Sequence, residues 1–207
     1  MARRTATFNR GQPKFKQVED TLIICEDTNS NKTYLDDACH HFRSSAKIKV
    51  LHCGKNTPYE IVAFAKTVRA KYDKIYCVFD RDDHPNFDEA LQLASDCNVE
   101  TIKSYPCFEL WYILHYKYFS KCIVGVGNKS SGDMLQKEVG LIPQLAAYTK
   151  SASKGLFFNL KDDLDQAIRH STRRLKEANE DGSINPSTEI HLLISKIKEL
   201  GELKNVA

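Results

Sequence analysis

From residue 21 onward the chain alternates short, β-branched apolar runs with longer segments of helical periodicity, and this alternation restricts the fold more than any other feature. Strands separated by helices run parallel, and a parallel sheet needs helices to cover its faces. The spacing predicts strands over 21–25, 48–52, 74–79 and 99–103, with helices over 33–45, 58–72 and 87–97 between them. In the second helix Ile61, Phe64, Ala65, Val68 and Tyr72 share one face, and Pro58 suits the first turn. The expected fold class is α/β: an open parallel sheet with helices on both faces and a helical C-terminal extension. The expected organisation is a flexible basic tail over 1–18, an α/β core over 19–120 and a helical part over 121–207 packed on that core.

Past the fourth strand, SYPCFELWYILHY at 104–116 reads as a proline-opened core helix carrying the single tryptophan. The Gly- and Ser-rich stretch 124–133 reads as a loop dividing the sheet from the helical part. Over 162–179 the apolar Leu164, Ala167, Ile168 and Leu175 accompany a crowded Arg169, His170, Arg173, Arg174 and Lys176, a basic helix surface. In the last helix Asn185 is placed to cap, Pro186 to take the first turn, and Ile190, Leu193, Ile194, Ile197 and Leu200 form an apolar stripe.

The 207 residues suffice for one domain with a sizeable core, and with 42% hydrophobic and 28% charged residues the composition is that of a globular chain. No apolar stretch is long enough to span a bilayer, so no membrane partner is expected. The N-terminus has no apolar core of the kind a secretory signal needs, and the expected address is the cytoplasm. Seven cysteines without a C-x-x-C pair read as free thiols rather than a zinc site or a disulfide framework. Net charge is only +3, but residues 1–16 hold Arg3, Arg4, Arg10, Lys14 and Lys16 and no acid, which suits either contact with phosphates or a solvated leader.

In open α/β sheets ligands bind beyond the carboxyl ends of the strands. Two acidic groups lie there: Glu26-Asp27 after the first strand, and Asp80-Arg81-Asp82-Asp83-His84 after the third. In an extended chain Asp80 and Asp82 point the same way, and neighbouring strands are about 4.8 Å apart, so adjacency of strands one and three would bring Glu26 to this pair. Crowded carboxylates call for a cation, and Mg²⁺ or Mn²⁺ accepts such hard oxygens and serves phosphodiester cleavage. A solvated acidic turn is the alternative. Glu109 either answers the helix dipole or supports the metal; His84 either assists proton transfer or belongs to a turn, and Glu189 reads as a cap.

ICED at 24–27, VFDRDDHPNF at 78–87, YPCFELWYILHY at 105–116 and NPSTEIHLLI at 185–194 together resemble the RloB-like family, in this order and across nearly the full chain. That resemblance implies a Toprim-like fold with Glu26, Asp80 and Asp82 as the catalytic, metal-binding acids, and Mg²⁺ or Mn²⁺ as cofactor. It implies a Toprim-type endonuclease acting on DNA or RNA, tRNA included, in bacterial phage defence. An AAA/ABC-type ATPase would be the partner, and a homodimer is compatible with it. Lys150 resembles a family lysine that neutralises a scissile phosphate, and Glu109 would add metal support. Arg169, Arg173, Arg174 and Lys176 would steer a nucleic-acid backbone. Relatives typically read E-G-x-x-T-E after the first strand, whereas here Asp27 stands for the glycine and Asn31 for the second acid. Competing readings are a non-catalytic nucleic-acid-binding or regulatory subunit, and a receiver-like domain with Asp80 as phosphoacceptor.

Overall fold

A computed structural model describes residues 19–81, 84 and 86–202, so the basic tail, Asp82 and Asp83 lie outside the described residues. β1 (Thr21–Cys25) lies between β2 (Ile48–His52) and β3 (Lys74–Asp80), followed by β4 (Glu100–Tyr105) and β5 (Ser187–Thr188), in the order β2-β1-β3-β4-β5. The first four strands are parallel, and β5 runs antiparallel to β4. The crossovers carry α1 (Asn31–His41), α2 (Pro58–Val68) and α3 (Phe87–Asp96). Thr57 caps α2 through its side chain, with Pro58 in the first turn.

The strand pleat sends alternate residues to two cores. Leu22, Ile24, Ile75, Cys77 and Phe79 meet Ile61, Val62 and Ala65 of α2 and Phe87, Ala90 and Ala94 of α3. Ile23, Cys25, Tyr76 and Val78 face the opposite way into a larger cluster with α1 and the helices after β4. Burial on both faces explains why β1 and β3 read as near-continuous apolar runs. Every residue of α4 (Glu109–Tyr116) up to His115 is buried, as a helix apolar on all sides requires. It packs against α5 (Ser131–Gly140) and α7 (Leu164–Asp181), while α8 (Ile190–Glu202) packs on α1 and β4. α6 (Leu156–Leu160) lies against α1. No helix among the described residues is long and apolar enough to cross a membrane.

Three local expectations differ. Residues 104 and 105 belong to β4 rather than to the tryptophan helix, because Ser104 pairs with Asp80 on one side and Thr188 on the other. The segment expected to open the last helix instead supplies β5. Asn185 does not cap: its side-chain amide accepts from the Ile123 N–H at 3.3 Å and donates to the Ile123 carbonyl at 2.7 Å. Thr188 Oγ1 takes the Ile190 N–H at 3.3 Å, and Glu189 accepts the Lys103 N–H at 2.9 Å and pairs with the Lys103 ammonium at 3.1 Å, so its carboxylate holds the edge of β4. The loop at 124–133 ends at Ser130, where Ser130 and Asp133 form a reciprocal capping box for α5. Residues after 121 thus give the sheet a strand and share the larger core with α1 and α4.

His115 joins two of these layers. Its Nδ1 lies 2.8 Å from the Trp111 carbonyl and therefore donates, leaving Nε2 to accept from the Tyr34 hydroxyl at 3.3 Å. Burial, partly opposed by hydrogen bonds to helix carbonyls, pushes its pKa down to about 4. The unfolded chain, with a histidine near 6.5, then binds the proton first as pH falls. Stability from this group is present above pH 6.5 and is lost between about 6.5 and 4. We expect roughly 3 kcal/mol to disappear over that window, at about 1.4 kcal/mol per pKa unit. Urea denaturation as a function of pH would measure it, and a slope no smaller in His115→Asn would assign the loss elsewhere.

Candidate metal centre

The site is set by the pairing of β1 with β3. The Glu26 N–H continues the ladder by donating to the Val78 carbonyl at 3.0 Å, and the Asp80 N–H donates to Glu26 Oε2 at 2.8 Å. Sequence reasoning expected Glu26 and Asp80 to converge, and the first and third strands bring them together. His84 Nε2 is 3.7 Å from Glu26 Oε1, at the edge of the same group. Asp82, assigned by sequence to the same pair, lies outside the described residues.

Across the cleft, the turn after β4 contributes Cys107 and Glu109. One donor atom each of Asp80, Cys107 and Glu109 lie within 4.8 Å of one another. Glu109 is 1% exposed and its two oxygens differ. Oε1 accepts from the Tyr148 hydroxyl at 3.1 Å and lies 3.5 Å from the Lys150 ammonium, whereas buried Oε2 has no hydrogen-bond partner. An ionised carboxylate oxygen stranded in a buried site is costly, and a cation would satisfy it. The acids therefore fit a divalent ion. Among the described residues Asp80 and Glu109 are the oxygen donors grouped where an ion could sit, with Glu26 reaching the Asp80 backbone beside them.

Lys150 begins a single turn of 3₁₀ helix, and its side chain is 53% exposed despite the contact with Glu109. Burial penalises its ammonium, but the charges of Glu109, Cys107, Asp80 and Asp27 outweigh that cost and hold its pKa above the ordinary lysine value. Burial, then the Glu109 and Asp80 carboxylates, push the Cys107 thiol well above its usual range. Tyr148 is likewise raised, by burial first and then by Glu109, so its hydroxyl stays a donor.

The two departures after β1 have distinct structural outcomes. Asp27 folds back on its own turn: Oδ1 accepts from the N–H groups of Asn29 at 2.6 Å and Ser30 at 2.7 Å, and Oδ2 takes the Ser30 hydroxyl. Among the described non-glycine residues only Arg43 and Asn98 have positive φ, so the turn at 27 makes no demand for glycine. Asn31 opens α1 at 1% exposure with neither amide atom hydrogen-bonded.

The RloB-like protein family matches residues 21–197. The chain belongs to the RloB-like family. Comparison with curated proteins and with solved structures returned no match. The RloB-like match starts at the first residue of β1 and ends within α8, so it encloses every acid of the site.

Sequence reasoning missed Cys107 and Tyr148. Cys107 sits two residues before Glu109, a signal that was present but read as one more buried thiol; nothing local marks Tyr148. The basic run on α7 divides. Arg169 is exposed, Lys176 lies 3.8 Å from Glu180, and Arg173 bonds Glu177 at 2.8 Å while stacking 4.2 Å above Tyr118. Arg174 is 4% exposed and binds the Pro186 carbonyl at 2.8 Å, Ser183 Oγ at 2.7 Å and the Ser183 carbonyl. A guanidinium enclosed in this way is a clasp for the return to β5 and is closed to a phosphate. Arg174→Ala should cost about 2–4 kcal/mol in urea denaturation, as expected when a buried charge-assisted cluster loses its donor. Arg169→Ala should change stability by less than about 0.5 kcal/mol. Equal stabilities for the two variants would contradict this division.

Proposed function

We propose that this RloB-like chain is a divalent-metal-dependent endonuclease with a Toprim-type arrangement of acids. It hydrolyses phosphodiesters of DNA or RNA, tRNA among them, as the effector of an anti-phage system with an AAA/ABC-type ATPase partner. The observation that carries the reading is Asp80 at the strand end between two acids, its N–H on Glu26 at 2.8 Å and its carboxylate grouped with Glu109, of which one buried oxygen is unpartnered and the other lies 3.5 Å from the Lys150 ammonium. Hard oxygen donors beside a half-exposed cation suit a phosphodiester: the carboxylates would hold Mg²⁺ or Mn²⁺, and Lys150 would take a non-bridging phosphate oxygen.

The chain's own groups have separable tasks in this reading. Glu26 is fixed by the Asp80 N–H, so its carboxylate is oriented before any ligand arrives. Tyr148 orients Glu109 through a hydroxyl that remains protonated. Lys150 is held near the acids by Glu109 yet keeps solvent access, which suits a group that must exchange a carboxylate for a phosphate. Arg169, Arg173 and Lys176, exposed on α7, are the basic residues of that helix that would meet a nucleic-acid backbone.

A non-catalytic nucleic-acid-binding subunit is the second reading, favoured by Asp27, whose oxygens both serve its own turn. Against the receiver-like alternative, β5 is a two-residue antiparallel strand on β4 rather than a fifth parallel one.

The test is cleavage of DNA and tRNA with Mg²⁺ or Mn²⁺, with and without the ATPase. Glu26→Gln and Asp80→Asn should each lower cutting by about 10²-fold or more, and Lys150→Ala by about 10²-fold with metal binding retained. Cutting unchanged in Glu26→Gln and Asp80→Asn would overturn the assigned site. Calorimetry without any divalent-ion binding would support the non-catalytic reading.

A further inference from the structure

Magnesium does not account for every donor at this site. Cys107 Sγ stands with Asp80 and Glu109 inside the 4.8 Å group, and a thiol contributes little to binding a hard ion. Three protein donors, one of them sulfur, match the mixed donor set of a borderline divalent ion such as Zn²⁺ or Co²⁺. We propose that Asp80, Cys107 and Glu109 form a thiophilic metal position, which shares Asp80 and Glu109 with the hard-ion reading and differs from it in taking the Cys107 sulfur as a donor.

Four observations support the assignment. Cys107 is 2% exposed and Glu109 1%, so the donors lie in an interior that excludes bulk water from the sulfur. Glu109 Oε1 is already engaged by Tyr148 and Lys150, while Oε2, buried and unpartnered, is the oxygen left for an ion. Gly132, at the start of α5, covers the sulfur: a Cβ built there would lie 4.0 Å from Cys107 Sγ. The donors come from rigid elements, Asp80 from the last position of β3 and Glu109 from the first position of α4, with Cys107 two residues ahead.

The metric requirement is small. Zinc bonds of about 2.3 Å to sulfur and 2.1 Å to oxygen set donor separations near 3.5 Å, so a closure of about 1 Å by side-chain rotation suffices. On binding, the sulfur releases its proton to solvent and gains the ion, and no other bond changes. The other buried cysteines, Cys25, Cys39 and Cys77, belong to no such donor group among the described residues.

This proposal refines the metal-dependent reading, and its test separates the two. Purified full-length protein, stripped with chelator, is titrated with Co²⁺ and followed by absorption in the near-ultraviolet, where thiolate-to-cobalt charge transfer appears. The wild-type chain should give a saturable band that is missing in Cys107→Ser. Asp80→Asn and Glu109→Gln should keep the sulfur yet weaken apparent affinity by at least about tenfold. Circular dichroism confirms that each variant is folded, and Cys122→Ser, which alters the exposed thiol, should leave the band intact.

A band that survives in Cys107→Ser, or none in the wild type, overturns the thiophilic position. In that event Mg²⁺-dependent cutting lost in Glu26→Gln would leave the nuclease reading standing. A Cys107-dependent band without any cutting would do the reverse.

Discussion

The parallel pairing of β1 with β3 is the contact on which the rest of the molecule depends. It places Glu26 one residue beyond the Cys25–Val78 pair and Asp80 two residues beyond it, and it lets the Asp80 N–H bind Glu26 Oε2 at 2.8 Å. Were β1 and β3 not neighbours, these acids would lie two or more strand spacings of about 4.8 Å apart. The same pairing makes β1 and β3 interior, which is why their side chains must serve two cores at once. Fold stability and site geometry therefore draw on the same two strands.

Charge balance explains the groups around the acids. Glu26, Asp80 and Glu109 bring three carboxylates to the carboxyl end of the sheet, and the Lys150 ammonium lies 3.5 Å from Glu109. Burial alone would push that ammonium toward neutrality, yet the surrounding carboxylates keep it charged. Tyr148 adds a hydrogen bond without adding charge, so it steadies Glu109 and leaves the local charge balance unchanged.

Much of this was legible in the sequence because it rests on local periodicity. The strand–helix alternation, the α2 face of Ile61 and Ala65, and the strand-end positions of Glu26 and Asp80 follow from patterns a few residues long. What escaped depends on distant partners. Ser187 and Thr188 are too short a run to announce a strand and become one only because β4 offers its edge. Arg174 looked like its basic neighbours on α7, and its burial is decided by the Ser183–Pro186 return that closes over it. Asn185 and Pro186 had the local chemistry of a helix start, but the tie of Asn185 to Ile123, 62 residues away, outweighs it. Tyr148 reaches Glu109 from 39 residues away, a relation no local spacing encodes.

The departures at 27 and 31 bear on the site differently from what residue type alone implies. A glycine beside the first acid would be needed if the turn required positive φ, but the Asp27 side chain builds the turn by accepting two consecutive backbone N–H groups. Its carboxylate is thereby spent on structure and adds long-range charge, raising the Lys150 and Tyr148 pKa values without acting as a donor atom. Asn31 keeps the size and shape of an acidic side chain's neutral counterpart at a buried helix start, with its amide unpaired. A neutral amide there adds no demand for a cation on the β1 side of the cleft, while Cys107 and Glu109 place donor atoms on the β4 side. The donor atoms that lie within 4.8 Å of one another thus gather around Asp80 and the turn that opens α4 rather than in the loop after β1.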